Sequence, residues 1–102
     1  MKLYLKSRVG NVNAVAEYDT DKNTFTVLKG SVVSDVVARS TTFRGAASIE
    51  KYRSQYVKNS KVITDVLFKS ASTAANFVTG RSTNGLVTWK NIEGQKLKDI
   101  LK

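Results

Sequence analysis

Cysteine, histidine and proline are all absent from this 102-residue sequence, and the first two absences each remove a class of chemistry. Without cysteine there are no disulfides and no thiolate metal clusters. Without histidine there is no Ser-His or Cys-His dyad, no imidazole general base and none of the usual zinc sites. Acidic residues are scarce, eight against seventeen Lys and Arg, which leaves a formal net charge of +9. No apolar run reaches the roughly 18 residues that span a bilayer, and the N-terminus lacks the apolar stretch of a signal peptide. What remains is ordinary for a folded chain: 41% hydrophobic and 25% charged residues place it away from disordered sequences. A chain of this length buries roughly two thirds of its unfolded surface, enough for one core without staples. One cytoplasmic domain over residues 1–102 is expected, with no metal, no cofactor and no membrane contact.

The positive charge is uneven. Residues 1–51 carry net +3 and residues 52–102 carry net +6. The basic residues of the second half are interleaved with apolar positions and form no block of like charge, so they belong to a folded surface and not to a basic tail. Such a surface attracts phosphate backbones and acidic membranes alike, although the same charge also serves solubility alone.

Periodicity divides the chain into strands and helices. Lys2 to Arg8 alternates, with Leu3 and Leu5 on one side and Lys2, Tyr4 and Lys6 on the other; Asn13 to Tyr18 alternates again. Gly10-Asn11 and the stretch Asp19 to Asn23 are turn signals, and Thr24 to Lys29 is a third strand that Gly30-Ser31 ends or bulges. Val32 to Ala38 extends the sheet or forms an irregular edge. From about Ala46 the period becomes helical, with Ile49, Tyr52 and Tyr56 on one face and Lys58-Asn59 at the end. Val62 to Phe68 reads as a fourth strand. Ser70 and Gly80 punctuate a short helix whose apolar stripe is Ala74, Phe77 and Val78. Asn84-Gly85 then reads as a tight turn into a fifth strand, Leu86 to Trp89, and Leu97, Ile100 and Leu101 suggest a short terminal helix. The fold class expected is α+β: a mostly antiparallel sheet of about five strands with two main helices and a short C-terminal one.

Little in the sequence could carry catalysis. The eight acids are scattered. Asp19, Asp21 and Asn23 superficially resemble a calcium loop but lack its glycine, its terminal Glu and its flanking helices. Lys29-Gly30-Ser31 has neither the preceding glycine nor the following helix of a phosphate loop. With no carboxylate pair, metal cluster or activated lysine indicated, the chain reads as non-enzymatic. Tyr52, Tyr56, Phe68, Phe77 and Trp89 are either core residues, the commoner outcome at such spacings, or a base-stacking surface amid basic residues. Arg81 and Lys90 could frame a phosphate contact, and the first turn after Ser70 offers backbone N–H groups to an anion.

Two segments carry a family resemblance. Phe68-Lys69-Ser70-Ala71-Ser72-Thr73-Ala74-Ala75, followed by Gly80, Asn84-Gly85 and Trp89-Lys90, resembles a recurring bacterial pattern F-x-S-P-S-x-A-A … G … N-G-W … W-K. Upstream, Phe25 to Ser31 is similar to that family's G-F-x-V-L-x-G-S strand, and Arg53 falls where it carries an arginine. The family is the domain of unknown function numbered 4357, often C-terminal to GIY-YIG-type endonuclease modules and found in restriction–modification contexts. The core motif is also similar to the domain associated with restriction enzymes and adenine methylases. The likeness covers about residues 13–98. Ala71 replaces the usual proline, Leu86 replaces an aromatic, the segment between Tyr56 and Asp65 is short, and no nuclease module is attached. The motif residues Gly30, Ser31, Phe68, Ser70, Ser72, Ala74, Ala75, Gly80, Asn84, Gly85 and Trp89 are caps, turns and packing positions, hence mainly a fold signature. The family's company implies a DNA-associated accessory role. A non-catalytic domain that binds DNA with little sequence preference is therefore expected, acting through Arg53, Lys58, Lys61, Lys69, Arg81 and Lys90, as a monomer or weak dimer. The alternative is a protein-interaction module that positions a nuclease or methyltransferase subunit, with Val32 to Val37 as its sheet edge.

Overall fold

The alternating segments pair as a meander. In a computed structural model that describes residues 1–8, 11–35, 37 and 46–101, β1 (Lys2–Ser7), β2 (Val12–Asp19), β3 (Thr24–Val27) and β6 (Val66–Phe68) form an antiparallel sheet in the order β1-β2-β3-β6. Register puts one apolar set on one face: Leu3 opposite Ala16, Ala16 opposite Val27, and Val27 opposite Val66, with Phe25 opposite Phe68 beside them. All of these are buried. Tyr18 and Phe25, cross-strand partners, stack with ring centroids 4.4 Å apart. The other face presents Lys2, Tyr4 and Lys6 on β1 opposite Glu17, Val15 and Asn13 on β2.

Helices cover the apolar face. The first, α1 (Ala46–Tyr56), buries Ile49, and α2 (Ala71–Thr79) buries Ala71, Ala74, Ala75, Phe77 and Val78. Ser70 caps α2 as expected, accepting the Thr73 N–H at 3.0 Å, and Gly80 ends it in the left-handed conformation with φ 72°. The architecture is α+β, with four helices among the described residues, two of them short: α3 (Gly85–Thr88) and α4 (Leu97–Ile100).

Gly30-Ser31 does bulge its strand. Between the pairs Ala16–Val27 and Asn13–Val32, residues 28–31 face only 14 and 15. Ser31 fills the gap, its Oγ accepting the Val15 N–H at 3.0 Å and donating to the Val15 carbonyl at 3.2 Å.

Four sequence expectations change. The fourth strand breaks at Ile63 to Asp65: β5 (Lys61–Val62) pairs with β4 (Val57–Lys58) in a separate two-stranded sheet, and only Val66–Phe68 joins the main one. Asn59 does not end the helix, which stops at Tyr56; with Ser60 it makes a two-residue hairpin turn in which both φ values are positive, 52° and 62°. Val32 is no free edge, because it pairs with Asn13 on one side and Lys61 on the other, and the Ser34 N–H bonds the Val78 carbonyl; residues 36 and 38 lie outside the described residues. Leu86 to Trp89 is not a strand. Asn84 caps α3 there, accepting the Leu86 N–H at 3.0 Å, and the Gly85 N–H donates to Ser72 Oγ. Two side-chain caps outweigh the strand preference of Val87, Thr88 and Trp89.

Gly85 is thus needed for proximity, not for a positive φ. A Cβ at Gly85 would run into the backbone of Ala71 and Ser72 in the first turn of α2. Gly85→Ala is expected to cost at least about 2 kcal/mol, since the obstacle is backbone and cannot rotate away. Urea denaturation would show a lower midpoint at unchanged slope; an unchanged midpoint would contradict this packing.

Candidate functional site

The six basic residues singled out from sequence do not all line one cleft. Arg53 lies half-buried on α1 and its guanidinium is spent inside the protein. Nε donates to the Phe77 carbonyl at 2.9 Å, Nη1 to the Ser34 carbonyl at 2.7 Å, and Nη2 to Ser34 Oγ at 2.9 Å and the Val78 carbonyl at 3.2 Å. Phe77 and Val78 belong to the last turn of α2, where the carbonyl ends of the helix favour a cation. Burial draws the guanidinium below its ordinary pKa, and it remains charged at any physiological pH. This arginine is a clamp between α1, α2 and residue 34.

Lys58 and Lys61 face each other across the β4–β5 hairpin, both exposed. Lys69 is exposed just before α2, beside a cleft lined by Asn23, Phe25, Ser70 and Leu86. Of the aromatic set, Phe68, Phe77 and Trp89 are core residues. Tyr52, 37% exposed, leans on Phe68 at a centroid distance of 5.2 Å, and Tyr56 is half-buried.

Arg81 and Lys90 do come together, and Lys6 joins them. The three border a cleft of about 450 Å³ with Ser82, Thr83 and Thr88 on its walls. The loop from Gly80 to Asn84 is pinned on both sides: the Thr83 N–H donates to Asn76 Oδ1 at 2.8 Å, and the Arg81 carbonyl accepts from Thr79 Oγ1 and Thr83 Oγ1. Lys90 is fixed through its backbone, which exchanges two hydrogen bonds with Tyr4 at 2.7 and 3.0 Å. That pairing sets Lys90 on the face of Tyr4 and Lys6, and Lys96 pairs with Lys90 in turn. A second cleft, about 310 Å³, adjoins the first along Lys6, Thr88 and Lys90 and adds Tyr4, Asn91, Ile92 and Gly94. No carboxylate lines either one. On β2, Glu17 faces Lys2 at the far end of β1 and holds the N-terminal ammonium at 2.8 Å.

Lys6, Tyr4 and Lys96 were not among the expected site residues. The signal for Tyr4 and Lys6 was present in the alternation of β1, which puts Lys2, Tyr4 and Lys6 on the solvent side; Lys96 joins only through its pairing with Lys90. Among the described residues no three His, Cys, Asp or Glu side chains gather as metal ligands; Asp19 Oδ1 instead accepts the Asp21 and Lys22 N–H groups of its own turn. No helix of the described residues is long and apolar enough to cross a membrane.

The motif residues serve the fold that carries this cleft. Ser72 Oγ accepts from Gly85, the fully buried Trp89 donates its indole N–H to the Ala71 carbonyl at 3.0 Å, and Ala74 and Ala75 sit fully buried beneath the sheet.

Among known proteins, the family model described as Domain of unknown function (DUF4357) matches residues 3–101. No curated protein and no solved structure matches the chain.

Replacing Arg53 by Met keeps the aliphatic stem and removes every donor, leaving the carbonyls of Ser34, Phe77 and Val78 without it. The expected cost is about 2–3 kcal/mol in urea unfolding, with no rescue by Arg53→Lys, because one ammonium cannot bridge residue 34 and the end of α2 together. A parent-like midpoint for either variant would refute the clamp.

Proposed function

We propose that this chain, which belongs to the family of domains of unknown function DUF4357, is a non-catalytic accessory domain that binds DNA by its phosphate backbone with little sequence preference. The observation that carries this reading is the cleft bordered by Lys6, Arg81 and Lys90, free of carboxylates, with Ser82 on its wall; the Thr83 and Thr88 hydroxyls already donate to the Arg81 and Asn84 carbonyls. Cations and hydroxyls are the side chains that contact phosphate and sugar, and they fix position on a nucleic acid without reading its bases. Attraction comes from releasing the counterions condensed on the DNA, and the protein's +9 charge extends it beyond the contact itself. A bacterial cytoplasm, and a nuclease or methyltransferase subunit of a restriction–modification system as companion, fit the resemblance from which the expectation came.

Arg53 is left out of this interface because its donors are engaged. Lys58 and Lys61, on their hairpin, and Lys69, before α2, line neither of the two joined clefts; they add to the general positive field and not to the contact.

A second reading, a protein-interaction module that positions a nuclease or methyltransferase, has one feature in its favour. β6 ends the four-stranded sheet, and Leu67 at its centre is 55% exposed. An end strand can accept a partner's strand.

Fluorescence anisotropy of a short labelled duplex, titrated at several salt concentrations, tests the first reading. The parent is expected to bind with log affinity falling linearly in log salt. The Arg81→Glu/Lys90→Glu double variant should bind at least about tenfold more weakly at low salt and lose about two units of slope, one per phosphate contact. Lys58→Glu/Lys61→Glu should change the slope far less. Equal loss from both pairs would mean diffuse attraction without a defined cleft, and absence of binding by the parent would hand the lead to the interaction module.

A further inference from the structure

The two adjoining clefts differ in chemistry although they share Lys6, Thr88 and Lys90. One adds Arg81 and hydroxyl side chains; the other adds the half-buried ring of Tyr4 and the side chain of Ile92. Ile92 is 79% exposed, the most exposed large hydrophobic among the described residues. It stands on a tight turn knit by four bonds: Asn91 N–H to the Gln95 carbonyl, Gly94 N–H to the Asn91 carbonyl, and the Glu93 and Gln95 N–H groups to Asn91 Oδ1. A turn so constrained presents the isoleucine at the cleft rather than letting it fold away. Glu93, the acid of that turn, is not among the residues that line the cleft.

An aromatic ring and an aliphatic side chain beside two lysines match a nucleotide, whose base has apolar faces and whose phosphate is anionic. Paired bases inside a duplex keep those faces stacked on one another, whereas an unpaired base offers them. We infer that the Tyr4–Ile92 cleft takes up one base of single-stranded DNA, whose neighbouring phosphates then lie along Lys6, Lys90 and Arg81. This rests on the reading of the basic cleft as a phosphate contact and adds the strand state of the DNA to it. Base identity is weakly read there. The Asn91 side chain is committed to its own turn and to Gln95 Oε1, and the Thr88 hydroxyl donates to the Asn84 carbonyl at 2.9 Å.

The test compares a labelled oligothymidine with a duplex of equal length by anisotropy, for the parent, Tyr4→Ala, Tyr4→Phe and Ile92→Ser. Circular dichroism and melting confirm folding of each, and Ile92→Ser, at an exposed turn, guards against a Tyr4→Ala variant that unfolds. The parent is expected to prefer the single strand by roughly fivefold or more. Tyr4→Ala should lower single-strand affinity far more than duplex affinity and so lose most of that preference; Tyr4→Phe should keep it, and Ile92→Ser should lose part. Single-strand affinity no better than duplex affinity, or insensitive to both Tyr4→Ala and Ile92→Ser, overturns the base cleft. If the Arg81→Glu/Lys90→Glu variant still weakens duplex binding in that case, the phosphate contact stands without it. Failure of the parent to bind either oligonucleotide overturns both.

Discussion

The basic cleft depends on one buried group, the indole of Trp89. Its ring is fully buried, and its N–H reaches the Ala71 carbonyl at 3.0 Å. Burying a tryptophan is worth of order 4 kcal/mol from apolar area, and the bond to Ala71 satisfies a donor that would otherwise oppose that burial. Three elements hang from this residue. α3 ends on it, the Leu97 N–H bonds its carbonyl, and Lys90, its neighbour in sequence, pairs with Tyr4. The ring therefore fixes the distance from α2 to β1, and with it the separation of the Arg81 loop from Lys90. Gly85 and Ser72 tighten the same joint from the other side, which is why a motif made of caps and small residues can be held for folding and still determine where charge appears.

Arg53 and Arg81 show how hydrogen-bond accounting separates a structural cation from an available one. Both are arginines near the C-terminal end of α2. Arg53 has four acceptors within 3.2 Å, three of them backbone carbonyls, and reaches them from a half-buried position. Arg81 is exposed, and the bonds at its position involve its backbone, which leaves the guanidinium to the cleft. Charge counting along a sequence weighs the two equally. Burial and acceptors do not.

The sheet was legible because of its period of two: Leu3 and Leu5, Ala14 and Ala16, Phe25 and Val27 alternate with more exposed residues, Val15 being the one aliphatic among them, and each landed on the buried face. Ser70, Gly80 and Trp89 were legible for a similar reason, being punctuation and bulk with few alternative uses. The segment Leu86 to Trp89 misled because strand propensity is a local preference, and of the two caps that overrule it, Asn84 within its own turn and Ser72, the second depends on α2 being close by. Val62 to Phe68 misled because β-branched residues continue through a bend that only pairing partners reveal. The site was half legible. Arg81 and Lys90 lie nine residues apart and were paired on sequence grounds, but Lys6 belongs to the strand at the other end of the chain. Its membership follows from the Tyr4–Lys90 pairing, a contact across 86 residues of sequence that composition by halves obscured.

That long-range pairing also explains how a domain with so little chemistry acquires a directional surface. The open face of the sheet is acidic on β2, where Glu17 and Asp19 lie. Adding Lys90 and then Lys96 beyond β1 extends the same face by two cationic positions with no acid opposite them. Charge of one sign thereby collects at a sheet edge that would otherwise be open to strand pairing, and lysines there oppose edge-to-edge association. The lysines that give this edge its positive charge are therefore also a barrier to pairing with the same edge of another copy.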